Sequence, residues 1–353
     1  MKTFQQFERH LETVPLTTSW YLADLGEARG RQELFTRQSP QKLKVLREHA
    51  IIESAVSSNR IEGVEIDRAR IGTVIFGKSN LRDRDEEEVR GYRDALKLIH
   101  EQGAKLRLTG EFIRELHHLC RAGAGDAGQY KERDSDIIEK YPDGRQRVRF
   151  ATVKAADTPR YMQGLVEDWD SCLRERWVHP LVALAAFNLD FLCIHPFRDG
   201  NGRVSRLLLL AACYQLGYEA GRYISLERLI EENKERYYET LEASSQGWHE
   251  AKHDPWPLIN FLLYILKLAH GEFERRVGQM ASPKGAKTEM VEAAVEAMTG
   301  AFTVSDLERA CPGVSRDMVR RVLRNLKETG KIESLGRGPG ALWEKRGSTL
   351  KKR

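Results

Sequence analysis

His195-Pro196-Phe197-Arg198-Asp199-Gly200-Asn201-Gly202-Arg203-Val204-Ser205-Arg206 lies between two apolar segments, residues 181–193 and 203–216. The first segment is apolar nearly all round, which predicts a buried helix. The second predicts another, closed by Gly217. The stretch carries a His, an Asp, two glycines, an Asn and three arginines. Glycine lets the backbone approach a ligand closely. The N-terminus of the following helix offers outward N–H groups to an anion. Arg203 and Arg206 stand three apart and share one helix face. Asp199 is a hard oxygen donor of the kind magnesium uses alongside phosphates, and His195 is a base that works near neutral pH. A lone His before Pro, or a lone Asp-Gly, has an ordinary structural reading. Twelve residues holding all these groups between two apolar helices describe a phosphate site with a metal and a base.

Outward from this stretch the pattern is mostly helical. Residues 41–57 form an amphipathic row. Residues 85–102 enter through an acidic first turn, Asp85-Glu86-Glu87-Glu88, which suits a helix N-terminus. Residues 109–121 follow, with Thr109 as N-cap. Two β-prone runs, 135–140 and 147–150, flank Tyr141-Pro142-Asp143-Gly144 and predict a hairpin. Helices resume at Thr158. The last long helix of the body is 255–276, and residues 281–285 read as a linker.

Composition narrows the classes. The 353 residues are 41% apolar and 31% charged, as in a folded globular protein. The N-terminus is polar and mixed, so no secretory signal is expected. Apolar runs such as 207–213 are too short to span a bilayer. Five cysteines, at 120, 172, 193, 213 and 311, form an odd set without CxxC spacing. They predict neither a disulfide framework nor a zinc site, and the expected compartment is the cytoplasm. The net charge is +5, but residues 284–353 alone hold fifteen Lys/Arg against nine Asp/Glu. A nucleic-acid argument therefore belongs to the tail.

That tail, residues 303–345, reads as helix, turn, helix and hairpin. Ser305 is the expected cap of its first helix, Cys311-Pro312-Gly313 the turn and Ser315 the cap of the next. In that helix Val319, Val322, Leu323 and Leu326 face inward, while Arg316, Arg320, Arg324 and Lys327 line another face. Residues 332–335 and 341–344 flank Gly336-Arg337-Gly338-Pro339-Gly340. The arrangement resembles a winged helix. The resemblance implies a basic recognition helix in a major groove and Arg337 near phosphate, making DNA a candidate partner. The other reading is a domain that packs on the body or recruits a protein.

The central stretch resembles the Fic signature, HPFx(D/E)GN(G/K)RxxR, at every defined position. The resemblance implies transfer of AMP from ATP, with Mg²⁺, to a Tyr, Thr or Ser hydroxyl of a target protein. Carried onto this chain, His195 is the general base and Asp199 the metal ligand. Asn201 and the backbone of Gly200 and Gly202 cradle the phosphates, and Arg203 neutralises the leaving pyrophosphate. Val204, Ser205 and Arg206 complete the ATP-binding stretch. Upstream, Ser58-Asn59-Arg60-Ile61-Glu62-Gly63 reads by itself as a helix end closed by glycine. It also resembles the Fic inhibitory motif, (S/T)xxxE(G/N). That resemblance implies that Ser58, Glu62 and Arg206 form a brake, with Glu62 paired to Arg206 in space needed by the γ-phosphate. In some relatives the same Glu supports removal of AMP. The hairpin within 128–153 resembles the Fic flap, on which a target segment lines up by strand addition. Asn233-Lys234-Glu235-Arg236-Tyr237-Tyr238 resembles the helix that covers the nucleoside, with Tyr238 as its contact and Tyr237 as core packing. Ser244-Ser245 stands where some relatives place Asn, which leaves base preference open.

The expected architecture is thus mainly α. It comprises an N-terminal helical region with the inhibitory helix (1–100), a Fic-type helical core with a β-hairpin flap (101–278) and a C-terminal winged-helix domain (284–347). A homodimer is compatible with it. Three rivals stand beside this reading. Gly72-Thr73-Val74-Ile75-Phe76-Gly77-Lys78-Ser79 satisfies the P-loop pattern, but charged residues precede it where a buried strand is needed. A nucleotide-sensing, DNA-binding transcription regulator on a Fic scaffold would need ATP binding but no base, and His195 is intact. Transfer of UMP or phosphate in place of AMP is the third.

Overall fold

A computed structural model describes the chain apart from residues 11–12, 37–39, 78–79, 122, 141–142, 280–285, 299, 312–313, 337, 339 and 347–353. Several sequence expectations therefore lie outside the described residues: Tyr141-Pro142 of the hairpin turn, the 281–285 linker, Lys78 and Ser79 of the P-loop pattern, Pro312-Gly313, and Arg337 and Pro339 of the wing.

In chain order the elements are α1 (Lys2–His10), α2 (Leu16–Thr36), α3 (Pro40–Ile61), α4 (Ile71–Phe76), α5 (Arg84–Gln102), α6 (Gly110–Cys120), β1 (Ile137–Lys140), β2 (Gln146–Phe150), α7 (Thr158–Glu175), α8 (Pro180–Ile194), α9 (Asn201–Gln215), α10 (Leu226–Glu232), α11 (Lys234–Ser245), α12 (Trp256–Gln279), α13 (Ala286–Ala297), α14 (Val304–Ala310), α15 (Arg316–Glu328), β3 (Ile332–Ser334) and β4 (Trp343–Lys345). They fall into two compact units, Met1–Glu33 with Ala50–Phe273, and Leu34–His49 with Glu274–Arg353.

The larger unit is built around α8. Every residue from Leu181 to Ile194 is buried, which is what a helix without a polar face requires. α8 packs against α1, α7, α9 and α11, and α9 packs in turn against α5 and α6. Pro180 starts α8 in its first turn, and His179 caps it by accepting the Leu181 N–H. α9 begins two residues earlier than its apolar pattern, because Gly200 adopts φ 82° and turns the chain into the helix. Helix α5 is capped by Asp83, whose carboxylate accepts the Glu86 N–H at 2.9 Å. Thr109 caps α6 by accepting the Phe112 N–H at 3.1 Å. The hairpin pairs β1 with β2 antiparallel, Ile138 opposite Val148 and Glu139 opposite Arg147. Residues 71–76 are helical and follow a short 3-10 turn at 68–70, not the strand that a P-loop follows.

The first forty residues, on which the sequence says little, supply part of the core. Thr3 on α1 donates its hydroxyl to Asp190 at 2.6 Å, and Trp248 Nε1 donates to the same carboxylate at 2.5 Å. Asp190 is fully buried on α8, and burial pushes its pKa up to about 6 against these donors.

In the smaller unit, α13, α14 and α15 close on one apolar cluster that includes Val291, Val295, Leu307, Val319, Val322, Leu323, Leu326 and Ile332. The cap of α14 is Thr303, which forms a capping box with Asp306. Ser305, the expected cap, sits inside the helix instead; the reciprocal Thr303–Asp306 pair satisfies two N–H groups where Ser305 would satisfy one. Ser315 caps α15. Strands β3 and β4 pair antiparallel, Glu333 opposite Glu344. Among the described residues the five cysteines are free and buried, and no helix is long and apolar enough to cross a membrane.

Candidate active site

The site forms where α8 ends and α9 begins. His195 is the C-cap of α8 in the left-handed region, φ 51° and ψ 61°. For a non-glycine residue this conformation costs about 1–2 kcal/mol, and such strain gathers at functional sites. Two contacts from Lys131 hold it. The Lys131 N–H donates to the Pro196 carbonyl at 2.8 Å, and its Nζ donates to Thr152 Oγ1 at 2.6 Å and the Ile194 carbonyl at 3.3 Å. Burial, followed by the Lys131 charge, lowers the His195 pKa to about 4. The imidazole is therefore neutral at pH 7, and its Nδ1 has no hydrogen-bond partner among the described residues.

The loop after His195 is closed by Asn201. Its Oδ1 accepts the Phe197 N–H at 2.9 Å and its Nδ2 donates to the Phe197 carbonyl at 2.8 Å. Both polar ends are thereby committed to the loop, so Asn201 shapes the loop and presents no free amide. His117 stacks on Phe197 at 3.8 Å between centroids. Its Nδ1 accepts the Gly128 N–H at 2.9 Å, which leaves Nε2 to donate to the Asp199 carbonyl at 3.1 Å. This neutral tautomer is consistent with burial lowering its pKa to about 4.

Asp199 has a side chain 57% exposed. Its Oδ1 accepts the Gly200 N–H at 2.6 Å and its Oδ2 accepts from Arg121 at 2.7 Å. Arg203 is buried and donates to Glu88 at 2.6 Å and to Asn59 Oδ1 at 3.2 Å. Val204 is fully buried, and Ser205 turns its hydroxyl to the Gly202 carbonyl at 2.9 Å. Their side chains belong to the helix and its core.

α3 ends beside this loop in a Schellman motif. The Val64 N–H reaches the Asn59 carbonyl and the Gly63 N–H the Arg60 carbonyl, both at 3.0 Å, with Gly63 at φ 83°. That turn aims Glu62 at α9. Its Oε1 accepts from Arg206 at 2.8 Å. Arg206 also donates to Ser58 Oγ at 2.8 Å and to the Ser58 carbonyl at 2.9 Å. A Cβ placed on Gly202 would lie 2.2 Å from Glu62 Oε1. The carboxylate thus rests against the first turn of α9. Burial opposes the Arg206 charge, but Glu62 and its other neighbours hold its pKa above the ordinary range.

Glu62, His195, Gly202, Arg206 and Tyr238 line one cavity of about 270 Å³, whose apolar wall includes Leu192, Cys193, Phe150 and Leu241. That is just under the span of typical small-molecule pockets, ~300–1,000 Å³, and Glu62 is part of its lining. Asp199 instead borders a second cavity, with Arg84, Arg121 and Arg198. Tyr237 is buried against Phe261. Tyr238 faces the cavity, with Arg149 of the hairpin donating to its carbonyl at 2.8 Å. Ser245 lines the same cavity, whereas Ser244 accepts the Leu258 N–H at 3.0 Å. Sequence reasoning missed Glu88, His117, Arg121 and Lys131, all brought to the loop from other elements. Only the position of Glu88 within an acidic helix turn gave a signal, and that signal pointed to the helix N-terminus.

Residues 107–213 match the Fic/DOC family. Among curated proteins the chain is similar to Protein adenylyltransferase Fic of Nematostella vectensis, 27% identical over 223 residues, covering 60% of this chain and 46% of that protein. It is 23% identical over 261 residues to the protein of the same name in Drosophila mojavensis, covering 72% and 47%. The chain spans about half the length of these relatives. Among solved structures it shares its fold with a Fic family protein from Desulfovibrio desulfuricans, with TM-score 0.60, 24% identity, and coverage of 95% of this chain and 98% of that one. It also shares it with a Fic domain containing signaling protein from Bacteroides thetaiotaomicron, with TM-score 0.60, 22% identity, and coverage of 72% and 97%. The HPFxDGNGR loop, the helices that carry it and these likenesses agree, and residues 107–213 of the chain form a Fic/DOC-type domain.

Proposed function

We propose that this protein is a protein adenylyltransferase restrained by Glu62. The observation that carries the reading is the shared cavity: a neutral buried His195 stands opposite a helix N-terminus whose anion position, against Gly202, is taken by the Glu62 carboxylate paired to Arg206. A protein carboxylate there mimics the charge of a phosphate. With Glu62 displaced, ATP binds with its phosphates over the first turn of α9 and against Arg206, and its adenosine along the Tyr238 wall. His195 then takes the proton from an acceptor hydroxyl as that oxygen attacks the α-phosphorus, and pyrophosphate leaves toward Arg203. Positioning and charge stabilisation supply the rate. The β1–β2 hairpin is the natural platform for an extended acceptor segment. Reversal, with Glu62 helping water remove AMP, uses the same groups.

Asp199 fits magnesium by its donor chemistry. It is a half-exposed hard oxygen at the rim of the loop, and magnesium characteristically binds through one or two carboxylates and substrate phosphates. Among the described residues no group of three His, Cys, Asp or Glu could hold a metal alone, so Asp199 would share it with nucleotide and water. Such an ion neutralises phosphate charge.

The test is the intact mass of the Glu62→Gly protein after incubation with ATP and Mg²⁺, with Glu62→Gly/His195→Ala as control. A gain of one AMP unit that the control loses is the expected result. Bound ATP without any mass gain would favour the nucleotide-sensing regulator, and a different added mass would favour transfer of UMP or phosphate.

For the smaller unit, one observation favours a role as a DNA-binding winged helix. The exposed face of α15 carries Arg316, Arg320, Arg321, Arg324 and Lys327, while its opposite face forms the unit's core.

A further inference from the structure

Two carboxylates on α5, two residues apart, are buried: Glu86 at 3% and Glu88 at 6% exposure. A buried carboxylate is retained only with partners that offset its desolvation, and the partners of these two differ. Glu86 pairs with Arg70 through both oxygens, at 2.5 and 2.7 Å, and accepts the Arg82 N–H at 2.8 Å. Its role ends in the 70–86 region. Glu88 reaches the catalytic loop. Its Oε2 accepts from Arg203 NH1 at 2.6 Å, and its Oε1 accepts from Arg121 NH1 at 3.0 Å and Arg84 Nε at 2.9 Å. Arg203 and Arg121 have side chains only 2% and 7% exposed, so neither is neutralised by water.

We propose that Glu88 is a positioning residue for the adenylyl-transfer reaction inferred above, on which this step rests. Its carboxylate fixes the Arg203 guanidinium at the loop and shares the Arg121 charge, which otherwise falls on Asp199 at 2.7 Å and Asp126 at 3.6 Å. Among the described residues Arg203 has one charged partner within hydrogen-bonding distance, Glu88; its separation from Asp199 is 3.9 Å. Without Glu88, Arg203 is left with Asn59 and is free to swing to Asp199, which lies one helical turn away. That shift removes a donor from the leaving group and closes Asp199 to a cation together. Charge-assisted bonds hold such a side chain more firmly than neutral ones, and displacements of about 1 Å in a catalytic group are costly.

The experiment compares Glu62→Gly, Glu62→Gly/Glu88→Gln and Glu62→Gly/Glu86→Gln by steady-state transfer, unfolding midpoint, and calorimetric titration with ATP and Mg²⁺. Gln keeps the shape of Glu88 but places an amide NH₂ against guanidinium donors. The expected result is kcat lower by at least about tenfold in the Glu88→Gln variant, with KM within about threefold, the pattern for a lost transition-state interaction. Binding stoichiometry stays at one, which separates this loss from a fraction of unfolded protein. Glu86→Gln, with comparable loss of stability, keeps the kcat of its parent. Equal kcat in Glu88→Gln and parent overturns the proposal alone, and so does an equal fall in Glu86→Gln. No transfer by the Glu62→Gly parent overturns the adenylyl-transfer reading, and this proposal with it.

Discussion

Lys234 at the start of α11 donates its Nζ to the carbonyl of Ile61 at 2.9 Å, one residue before Glu62. The helix that lines the cavity therefore grips the end of the helix that leads to the Glu62 carboxylate. Arg60 adds an ion pair to Glu231 on α10 at 2.9 Å, but this pair is largely exposed and contributes little. A hydrogen bond to a charged group is worth about 1.5–3 kcal/mol, and the exposure of Lys234 lets water reduce this to about 1 kcal/mol. Lys234→Met should thus raise automodification by about three- to tenfold while leaving Glu62 in place. The check is the initial rate of AMP incorporation by intact mass, and a rate at or below that of the unaltered protein counts against the latch.

The Glu62–Arg206 pair predicts a stability signature as well. Arg206 is 2% exposed, and Glu62→Gly leaves its cation with Ser58 as its remaining partner among those described. An uncompensated buried charge costs about 3–5 kcal/mol; Ser58 and the partial exposure of Glu62 reduce that here to about 1–3 kcal/mol. The unfolding midpoint of Glu62→Gly should fall, and ATP should restore it by bringing phosphate to Arg206. Thermal shifts with and without ATP check this. The ATP-induced rise should be larger in Glu62→Gly than in the unaltered protein; equal rises would mean that Glu62 and nucleotide do not compete.

What could be read from the sequence divides along physical lines. The two apolar helices, the loop between them and the Glu62 turn are local patterns, in which spacing alone fixes which groups are neighbours. The hairpin follows from its turn residues, and Ser315 from its place before an amphipathic run. What escaped is long-range. Thr3 and Asp190 are 187 residues apart, and nothing in a polar N-terminus predicts that it plugs onto a buried carboxylate. Glu88 reads as one of four acidic residues suited to a helix dipole, yet two of the four are buried because Arg70 comes from before α5 and Arg121 and Arg203 from after it. His117 is an unremarkable helical residue until Phe197 stacks on it. Val204 and Ser205 show the converse: a motif names consecutive residues, but a helix turns about 100° per residue, and neither side chain is among those that line the cavity.

The buried His195 predicts the pH response. Its pKa lies at about 4 because burial disfavours the imidazolium, so the base is in its active form above pH 4 and is lost as pH falls through that value. The profile of kcat/KM for Glu62→Gly should therefore be flat from pH 8 down to about pH 5 as far as His195 is concerned. An ordinary imidazole would lose half its activity near pH 6.5. A measured acidic midpoint near 6.5, in a variant whose fold is intact at that pH, would show that His195 is solvated in the working enzyme.

The basic face of α15 separates two uses of the smaller unit. Arg316 pairs with Glu308 at 3.2 Å, whereas the Arg320–Asp317 contact is at 3.9 Å and Asp317 is 95% exposed, so water competes for both. Such a face is either solvated or meets a polyanion. If duplex DNA covers it, each arginine that meets a phosphate releases about one counterion, and affinity falls steeply with salt. Arg320→Glu/Arg324→Glu in the full chain should weaken binding to a random-sequence duplex by at least tenfold at low salt. It should also lower the slope of log Kd against log salt by about two, one for each phosphate contact removed. Fluorescence anisotropy across a salt series reads both quantities. A change in affinity without a change in slope would point to misfolding of α15, and unchanged affinity would leave the face to solvent or to a protein partner.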